Sequence, residues 1–264
     1  MRSIGVVLVV ALATVLHAAG WYVLHERVSP PEVVGQLASV SFSPIAAGHD
    51  GEKDVTTEEQ IRSDLAVIAP YTRAIRTYSV GNGLAAVPEL ASEFGLHVTL
   101  GAWIDEWEEQ NEREMETAID LSKRYRNIDS IIVGNETLLR GEIGAGRIKT
   151  YLEEVKRRSG LPVTYADVWE FWLQFPELAR HVDIVTVHIL PYWEDEPTGI
   201  DAAMAHARTV IRQVRAAFPG KPIAIGEIDL ERWNGTLVFN VDVGDEDVKV
   251  DASNGEVLGA ETDD

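Results

Sequence analysis

The sequence predicts an α/β protein: a (β/α)8-type TIM barrel that lacks a normal eighth strand, with a short β-hairpin tail and an N-terminal membrane helix. Seven β-rich segments alternate with helical segments between residues 36 and 227. Polar or aromatic residues end several of those segments, where barrel enzymes carry their functional side chains. The stretch after the first segment, "SFSPIAAGHDGEKD", lacks the G-x-G-x-x-G turn of an open dinucleotide-binding sheet. A barrel therefore fits better than an open doubly wound sheet.

The predicted strands are short apolar runs rich in β-branched residues. They are "QLASVSFS" (36–43), "AIRTYS" (74–79), "HVTLGAW" (97–103), "SIIVGNE" (130–136), "LPVTYAD" (161–167), "VDIVTVHI" (182–189) and "KPIAIGE" (221–227). Because helical segments separate them, the strands are expected to run parallel, each followed by a crossover helix. Residues 36–228 are accordingly predicted to form the barrel domain.

The first of these helices is predicted in "TTEEQIRSDLAVIA". Thr56 and Glu59 have the spacing of a capping box, which satisfies free N–H groups at a helix start. Ile61, Leu65 and Ile68 then recur on one face. The spacing predicts an amphipathic helix that packs this face against the sheet.

The N-terminus carries a targeting segment. Residues 4–24, "IGVVLVVALATVLHAAGWYVL", contain no Asp, Glu, Lys or Arg and are long enough to span a bilayer as a helix. Small residues at Ala18-Ala19-Gly20 leave a cleaved signal peptide open, but the apolar run continues past that site, which favours an uncleaved anchor. Residues 1–28 are predicted to be this signal anchor or signal peptide. The barrel is then exported, periplasmic or extracellular, and is secreted if cleavage occurs.

Composition excludes several kinds of function. The chain has 264 residues and a formal net charge of −20, so its surface would repel a phosphate backbone, and nucleic acid is excluded as a partner. It contains no cysteine, which rules out disulfides, thiolate metal sites and a cysteine nucleophile. Its hydrophobic content of 45% is that of an ordinary globular protein.

Two strands end on a glutamate in the same way. Glu136 follows "IIVGN" and Glu227 follows "IAIG", so a closed barrel would point both carboxyls into one mouth. A retaining glycosidase needs two carboxyls about 5 to 5.5 Å apart, one to protonate the leaving oxygen and one to attack the sugar. The neighbouring amide of Asn135 could bond a sugar hydroxyl. The pattern predicts Glu136 and Glu227 in one cleft, about 5 to 6 Å apart.

Six motifs together resemble one enzyme family. "IRTYS", "LGAWID", "IIVGNE", "VTYADVWEFW", "VTVHILPYWEDE" and "FPGKPIAIGE" look like the bacterial branch of glycoside hydrolase family 17, β-1,3-glucanase-like barrels often found in membrane proteins of glucan synthesis. The resemblance covers residues 36–227. It implies hydrolysis of a β-linked glucan or transfer of a glucan segment, with no cofactor and with a possible glucan synthase partner.

The same resemblance assigns roles to individual residues. It implies Glu136 as the acid/base and Glu227 as the nucleophile, with Asn135, Tyr78 and Tyr192 near the reacting sugar. The alternative is a non-catalytic glucan-binding or assembly module that keeps the groove. Such a module would bind glucan without turnover, and its binding would not change on loss of either glutamate.

Aromatic and polar residues after strands three, five and six suit a sugar ligand. Tryptophan faces can stack on sugar rings; the candidates are Trp103, Trp107, Trp169, Trp172 and Trp193. Trp193 is the preferred platform, and Trp169 and Trp172 are at least as well explained as core residues. Nearby acids, Asp167 among them, could accept hydroxyl hydrogen bonds.

His188 ends the sixth predicted strand. It has no second histidine at metal-ligand spacing, so a hydrogen-bonding role at the rim is preferred to a metal site. The sequence therefore predicts no metal centre.

Residues 229–264 have a different chemistry. They hold eleven acids and two bases, a net −9 of the chain's −20. Asn234-Gly235 and Asn254-Gly255 predict hairpin turns between alternating strands. This acidic β-rich segment resembles the C-terminal half of a PepSY domain. Since the family resemblance stops where it begins, a gene fusion or a reading error near Glu227 to Leu230 is a hypothesis, tested by resequencing independent isolates.

Overall fold

The chain is described here by a computed structural model. It describes residues 36–44, 55–190 and 200–226, residues 14, 15 and 17, and the strands of the tail. Two compact units divide the chain: Val33–Leu230 forms one, and Met1–Glu32 with Glu231–Asp264 forms the other.

A curled parallel sheet forms the centre of the larger unit. Its strands are Val40–Ser41 (β1), Ala74–Arg76 (β2), His97–Ala102 (β3), Ile128–Asn135 (β4), Val163–Val168 (β5), Val185–His188 (β6) and Ile223–Ile225 (β7). Neighbours in sequence are neighbours in the sheet, in the order β1 to β7, and every ladder is parallel. All seven predicted strands are confirmed.

Helices connect successive strands and cover the apolar outer face of the sheet. They are Glu58–Ile68 (α1), Val87–Glu93 (α2), Glu108–Arg124 (α3), Ala145–Ser159 (α4), Trp169–Gln174 (α5) and Ile200–Ala217 (α6), with 3₁₀ turns at Leu84–Ala86 and Pro176–Arg180. Fully buried side chains such as Ile75, Leu100, Ile131 and Leu152 form the core between strands and helices. This repeating unit is the one that the alternation of segments predicted.

The predicted capping box at the start of α1 is wrong by one residue. Thr57 is the N-cap, and its hydroxyl accepts from the Gln60 N–H at 3.2 Å. Thr56 instead donates its hydroxyl to the Pro44 carbonyl at 3.2 Å. Two adjacent threonines offer the same cap chemistry, and the contact with Pro44 decides between them. Ile61 and Leu65 are buried as predicted.

The sheet curls until β1 and β7 approach each other at their carboxyl ends. The Ser41 hydroxyl of β1 donates to the Gly226 carbonyl just after β7, at 2.9 Å. Arg76 of β2 reaches the same carbonyl at 3.4 Å. Side chains that span from the first strands to the last must cross the inside of the curl, so this face is the interior. Within the described part of the chain, the parallel sheet has seven strands with β1 and β7 at its edges.

The interior face is polar for most of its height. The Ser130 hydroxyl of β4 donates to Thr99 of β3 at 3.1 Å, and the hydroxyls of Thr164 and Thr186 lie 2.8 Å apart between β5 and β6. These four side chains are small, and their hydroxyls bond one another between neighbouring strands. The strands can therefore close tightly beneath the polar residues at the carboxyl ends.

The tail forms a four-stranded antiparallel sheet in the second unit. Its strands are Glu231–Trp233 (β8), Thr236–Val243 (β9), Glu246–Asp251 (β10) and Val257–Thr262 (β11), in the order β11-β10-β9-β8. Trp233 pairs with Thr236 on either side of the predicted turn at Asn234-Gly235. The sheet is larger than the single short hairpin that the sequence predicted, and the resemblance to a PepSY domain stays a prediction.

The predicted membrane helix at residues 4–24 lies outside the described residues except for Thr14, Val15 and His17. Among the residues that are described, no helix combines the length and hydropathy needed to cross a bilayer. The anchor therefore stays a prediction.

Candidate active site

Glu136 follows the last residue of β4 in an uncommon backbone conformation. Its φ is +52°, in the left-handed region that non-glycine residues rarely adopt. Gly134 has a φ of +88°, and a Cβ there would come within 2.9 Å of the Thr137 hydroxyl. The Glu136 N–H still donates to the Ala166 carbonyl of β5 at 2.8 Å. The strand thus turns sharply at Glu136 while β5 holds its backbone.

The Glu136 carboxyl meets the imidazole of His188 at the end of β6. Glu136 Oε1 lies 2.5 Å from His188 Nδ1; the His188 side chain is fully buried and that of Glu136 is 20% exposed. Burial acts to raise the pKa of Glu136, but the hydrogen bond and charge of His188, with the charges of Arg140 and Arg76, outweigh burial and lower that pKa below its ordinary value. The site therefore favours the ionised carboxylate.

The His188 ring also limits what can stand at position 226. A Cβ on Gly226 would lie 2.4 Å from His188 Cδ2 and 2.5 Å from His188 Nε2, so no other residue fits without displacing a buried ring. The Gly226 N–H donates to the Val187 carbonyl at 2.8 Å. Gly226 is thus fixed by β6 on one side and by Ser41 and Arg76 on the other. It is the residue immediately before Glu227.

Arg76 is a buried cation at the centre of the mouth, 5% exposed. One guanidinium nitrogen donates to the Asn135 amide oxygen, and the other reaches the Gly226 carbonyl. The guanidinium also lies 4.0 Å from the centre of the Tyr78 ring. A buried charge is tolerated when hydrogen bonds and an aromatic face replace its hydration. Arg76 therefore connects the end of β2 with those of β4 and β7.

A second arginine supports the loop after β4. Arg140 donates to the Asn135 carbonyl and, at 3.0 Å, to the Ile104 carbonyl. Its guanidinium lies 4.4 Å from the centre of the Trp103 ring, and Glu142 accepts from it at 2.6 Å. Arg140 thus fixes Asn135 and Trp103 together, on the side of the mouth formed by β3 and β4.

Asp167 lies behind the mouth rather than in it. Its side chain is fully buried. One oxygen accepts from the Tyr165 hydroxyl and from the Leu138 N–H at 3.2 Å; the other accepts from the Val168 N–H at 2.8 Å. Burial raises the pKa of Asp167, and the nearby charge of Glu136 adds to the rise. Asp167 thus holds the backbone two residues after Glu136, and its predicted contact with sugar stays a prediction.

The family follows from residues 39–229, which match the model of the BtgE/BtgC glycoside hydrolase domain. The chain belongs to this glycoside hydrolase family. The predicted resemblance is confirmed for the barrel.

Curated relatives agree with the family. A probable beta-glucosidase btgE of Aspergillus flavus is 27% identical over 196 residues, 71% of this chain and 32% of the relative. A glucan 1,3-beta-glucosidase of Schizosaccharomyces pombe is 26% identical over 206 residues, 72% of this chain and 62% of the relative. The chain thus spans about a third of the length of the Aspergillus protein.

Among solved structures, the glycoside hydrolase family 17 β-1,3-glucanosyltransferase of Rhizomucor miehei is similar with a TM-score of 0.61 and 27% identity. The match covers 71% of this chain and 69% of that chain. An active-site mutant of that enzyme in complex with laminaritriose has a TM-score of 0.62, at the same identity and coverage.

The mouth of this glycoside hydrolase barrel brings together several residues predicted from sequence. Glu136, Asn135 and His188 share it through the contacts above, and Tyr78 and Trp103 lie half-buried at its edge. His188 is fully buried, so it acts on Glu136 rather than at the rim. Tyr192, Trp193 and Glu227 lie outside the described residues, and the predicted distance between the two glutamates stays a prediction. Trp172 is a core residue, 1% exposed.

Sequence reasoning missed Ser41, Arg76 and Arg140 as site residues of the family's barrel. Arg76 carried a usable signal, because a charged residue inside the apolar strand "AIRTYS" must be paired or functional. Ser41 and Arg140 carried none, since serine is common in strands and arginine is common in loops.

We expect Gly226→Ala to destabilise the barrel. The added methyl would overlap the buried His188 ring, and overpacking of this kind costs roughly 1–3 kcal/mol. The free energy of unfolding in urea measures the effect. Gly146→Ala is the matched control, because nothing lies within 4 Å of a Cβ there and alanine favours the α4 helix. Equal stability of the two variants would contradict the packing of His188 on Gly226.

Proposed function

We propose that this chain is a retaining glycosidase or transglycosylase that acts on β-1,3-linked glucan. The observation that carries the proposal is the Glu136 carboxyl: it stands at a strand's carboxyl end, partly open to solvent and bonded to a buried histidine. The Rhizomucor miehei relative, a β-1,3-glucanosyltransferase, and the Schizosaccharomyces pombe relative, a glucan 1,3-beta-glucosidase, support the choice of substrate.

The proposed reaction has two displacement steps. Glu136 donates its proton to the glycosidic oxygen as the bond to the anomeric carbon breaks, and Glu227 attacks that carbon to give a glycosyl-enzyme. Glu136 then removes a proton from water or from a sugar hydroxyl, which displaces Glu227. Water gives hydrolysis and a sugar hydroxyl gives transfer. No metal or cofactor enters either step.

His188 favours the second step. Its hydrogen bond stabilises ionised Glu136, the form that accepts a proton from the incoming water or sugar. The first step needs the protonated form, which is populated at acidic pH because the pKa of Glu136 is lowered. We therefore propose that the first step slows as the pH rises through the pKa of Glu136.

The cellular setting is a further proposal. The apolar run at residues 4–24 supports an exported barrel anchored in a membrane, and a glucan synthase is a candidate partner there. Washing isolated membranes with carbonate tests the anchor. The chain should stay with the membranes, and release of a full-length chain would contradict it.

We expect Glu136→Gln to lose about 10²–10⁴-fold in kcat/KM on laminari-oligosaccharides, the usual contribution of a general acid. An aryl β-glucoside with an acidic phenol as its leaving group needs little proton donation, so kcat/KM on it should fall less. Glu227→Gln should abolish both activities. Product release is followed by mass spectrometry, which also separates hydrolysis from transfer.

Glu177→Gln is the matched control, because Glu177 is exposed in the 3₁₀ turn Pro176–Arg180. Glucan binding without turnover by the natural chain, unchanged in Glu136→Gln and Glu227→Gln, would instead establish the non-catalytic glucan-binding module.

We expect His188→Ala to move the alkaline fall of kcat/KM to higher pH. Glu136 must be protonated in the first step, so kcat/KM falls as pH rises through its pKa. Removing the imidazole removes the hydrogen bond and charge that lower this pKa and leaves burial, which raises it. His188→Asn, which keeps a hydrogen-bond donor without the charge, should shift the profile less.

The control for the pH profile is His97→Ala. His97 is exposed at the start of β3, where it pairs with Asp129, at the opposite end of the strands from Glu136. A profile of His188→Ala that coincides with that of the natural chain would contradict the role of His188 in setting the protonation of Glu136.

A further inference from the structure

A cavity of about 1010 Å³ opens beside the mouth. It lies between the loop after β2, the loop after β3 and the first turns of α3, and its lining includes Tyr78, Trp103, Asp105, Trp107 and Gln110. Its volume is at the upper end of the range of about 300–1,000 Å³ common for ligand sites. The reaction proposed for Glu136 and Glu227 gives no role to most of the residues that line this cavity.

Trp107 is the most exposed aromatic group of the lining. It is 65% exposed, although a large apolar ring gains by burial. Its backbone is nevertheless fixed: the Trp107 N–H donates to Asp105 Oδ1 at 2.7 Å. Buried Asn111 accepts from the Asp105 N–H at 2.9 Å and donates to the Asp105 carbonyl at 2.8 Å. The indole is thus presented to solvent from an ordered turn.

A buried acid holds the two walls of the cavity together. Glu114 of α3 is 7% exposed. It accepts from the Ser79 hydroxyl at 2.7 Å and from the Val80 N–H at 3.0 Å, both in the loop after β2. It also accepts from the Trp103 N–H in the loop after β3, at 3.0 Å. Three bonds to one carboxyl make the cavity a built feature rather than a gap between two loose loops.

Two aromatic residues of the lining contact the arginines that hold Asn135, the residue before Glu136. Tyr78 lines it and lies under Arg76, which bonds Asn135. Trp103 lines it and lies under Arg140, which bonds the Asn135 carbonyl. These contacts place the wall of the cavity next to the residues around Glu136.

We propose that this cavity binds the continuation of a β-linked glucan chain beyond the reacting sugars, with Trp107 as its outer stacking platform. The proposal rests on the proposed function. An exposed indole matches the apolar face of a glucose ring, and the Gln110 amide and Asp105 carboxyl offer a donor and acceptors for sugar hydroxyls. The subsite makes the protein select for chain length.

The test is a length series of laminari-oligosaccharides on Trp107→Ala. For the longer oligosaccharides kcat/KM should fall about tenfold, equivalent to about 1.4 kcal/mol. For laminaribiose, which in this proposal occupies only the sites of the reacting sugars, it should not change. Trp107→Phe keeps a stacking face and should retain most of the activity. Tyr71→Ala is the matched control, because Tyr71 is an exposed aromatic residue, 61% exposed, just before β2 at the opposite end of the strands.

Calorimetric binding of laminarihexaose to Glu136→Gln, with and without Trp107→Ala, separates this proposal from the proposed function. Binding that weakens about tenfold on loss of Trp107 supports the subsite; if the natural chain itself turns over no glucan, the same result leaves the subsite standing and refutes the catalytic proposal. Turnover whose dependence on chain length is the same in Trp107→Ala and the natural chain overturns the subsite and leaves catalysis standing. An equal loss on laminaribiose and laminarihexaose also overturns the subsite.

Discussion

The contact of one buried imidazole with two strand ends organises this site. His188 bonds the Glu136 carboxyl at the end of β4, and its ring occupies the space that a side chain at position 226 would need. The strand that carries the acid and the strand that leads to Glu227 are therefore both set by β6. A shift of this ring would change the protonation of Glu136 and the position of Gly226 together.

Hydrogen bonds to the residue just after β7 also hold the seven short strands in their curl. The ends of β1 and β7 are joined through Ser41 and Arg76, whose side chains converge on the Gly226 carbonyl. Arg76 is buried, so its partners are a structural requirement: leaving such a charge without hydrogen bonds would cost several kcal/mol. Closure here depends on polar side chains in the interior, and these are also the groups that hold Asn135.

The strands and Glu136 were predictable because apolar runs and a strand-end acid are local patterns. The direction of each side chain was not. In β4 the register with β5 shifts between Ile132 and Asn135, so a residue count along the strand no longer tells which side chains face inward. Asp167 shows the same limit: its strand-end position predicted a place in the mouth, but it lies buried against Leu138, a contact set by the loop after β4.

The choice between water and sugar as the acceptor cannot come from Glu136 and His188 alone. In the proposed reaction both acceptors give up a proton to the same carboxylate, so the lowered pKa of Glu136 would act on hydrolysis and transfer alike. What differs is how long each acceptor stays near the glycosyl-enzyme. Water is always present, whereas a sugar competes only if neighbouring surfaces retain it, and the proposed subsite between the walls tied by Glu114 would be such a surface. On the proposed mechanism, the ends of β4 and β6 would set the chemistry, and the loops after β2 and β3 would set which acceptor is used.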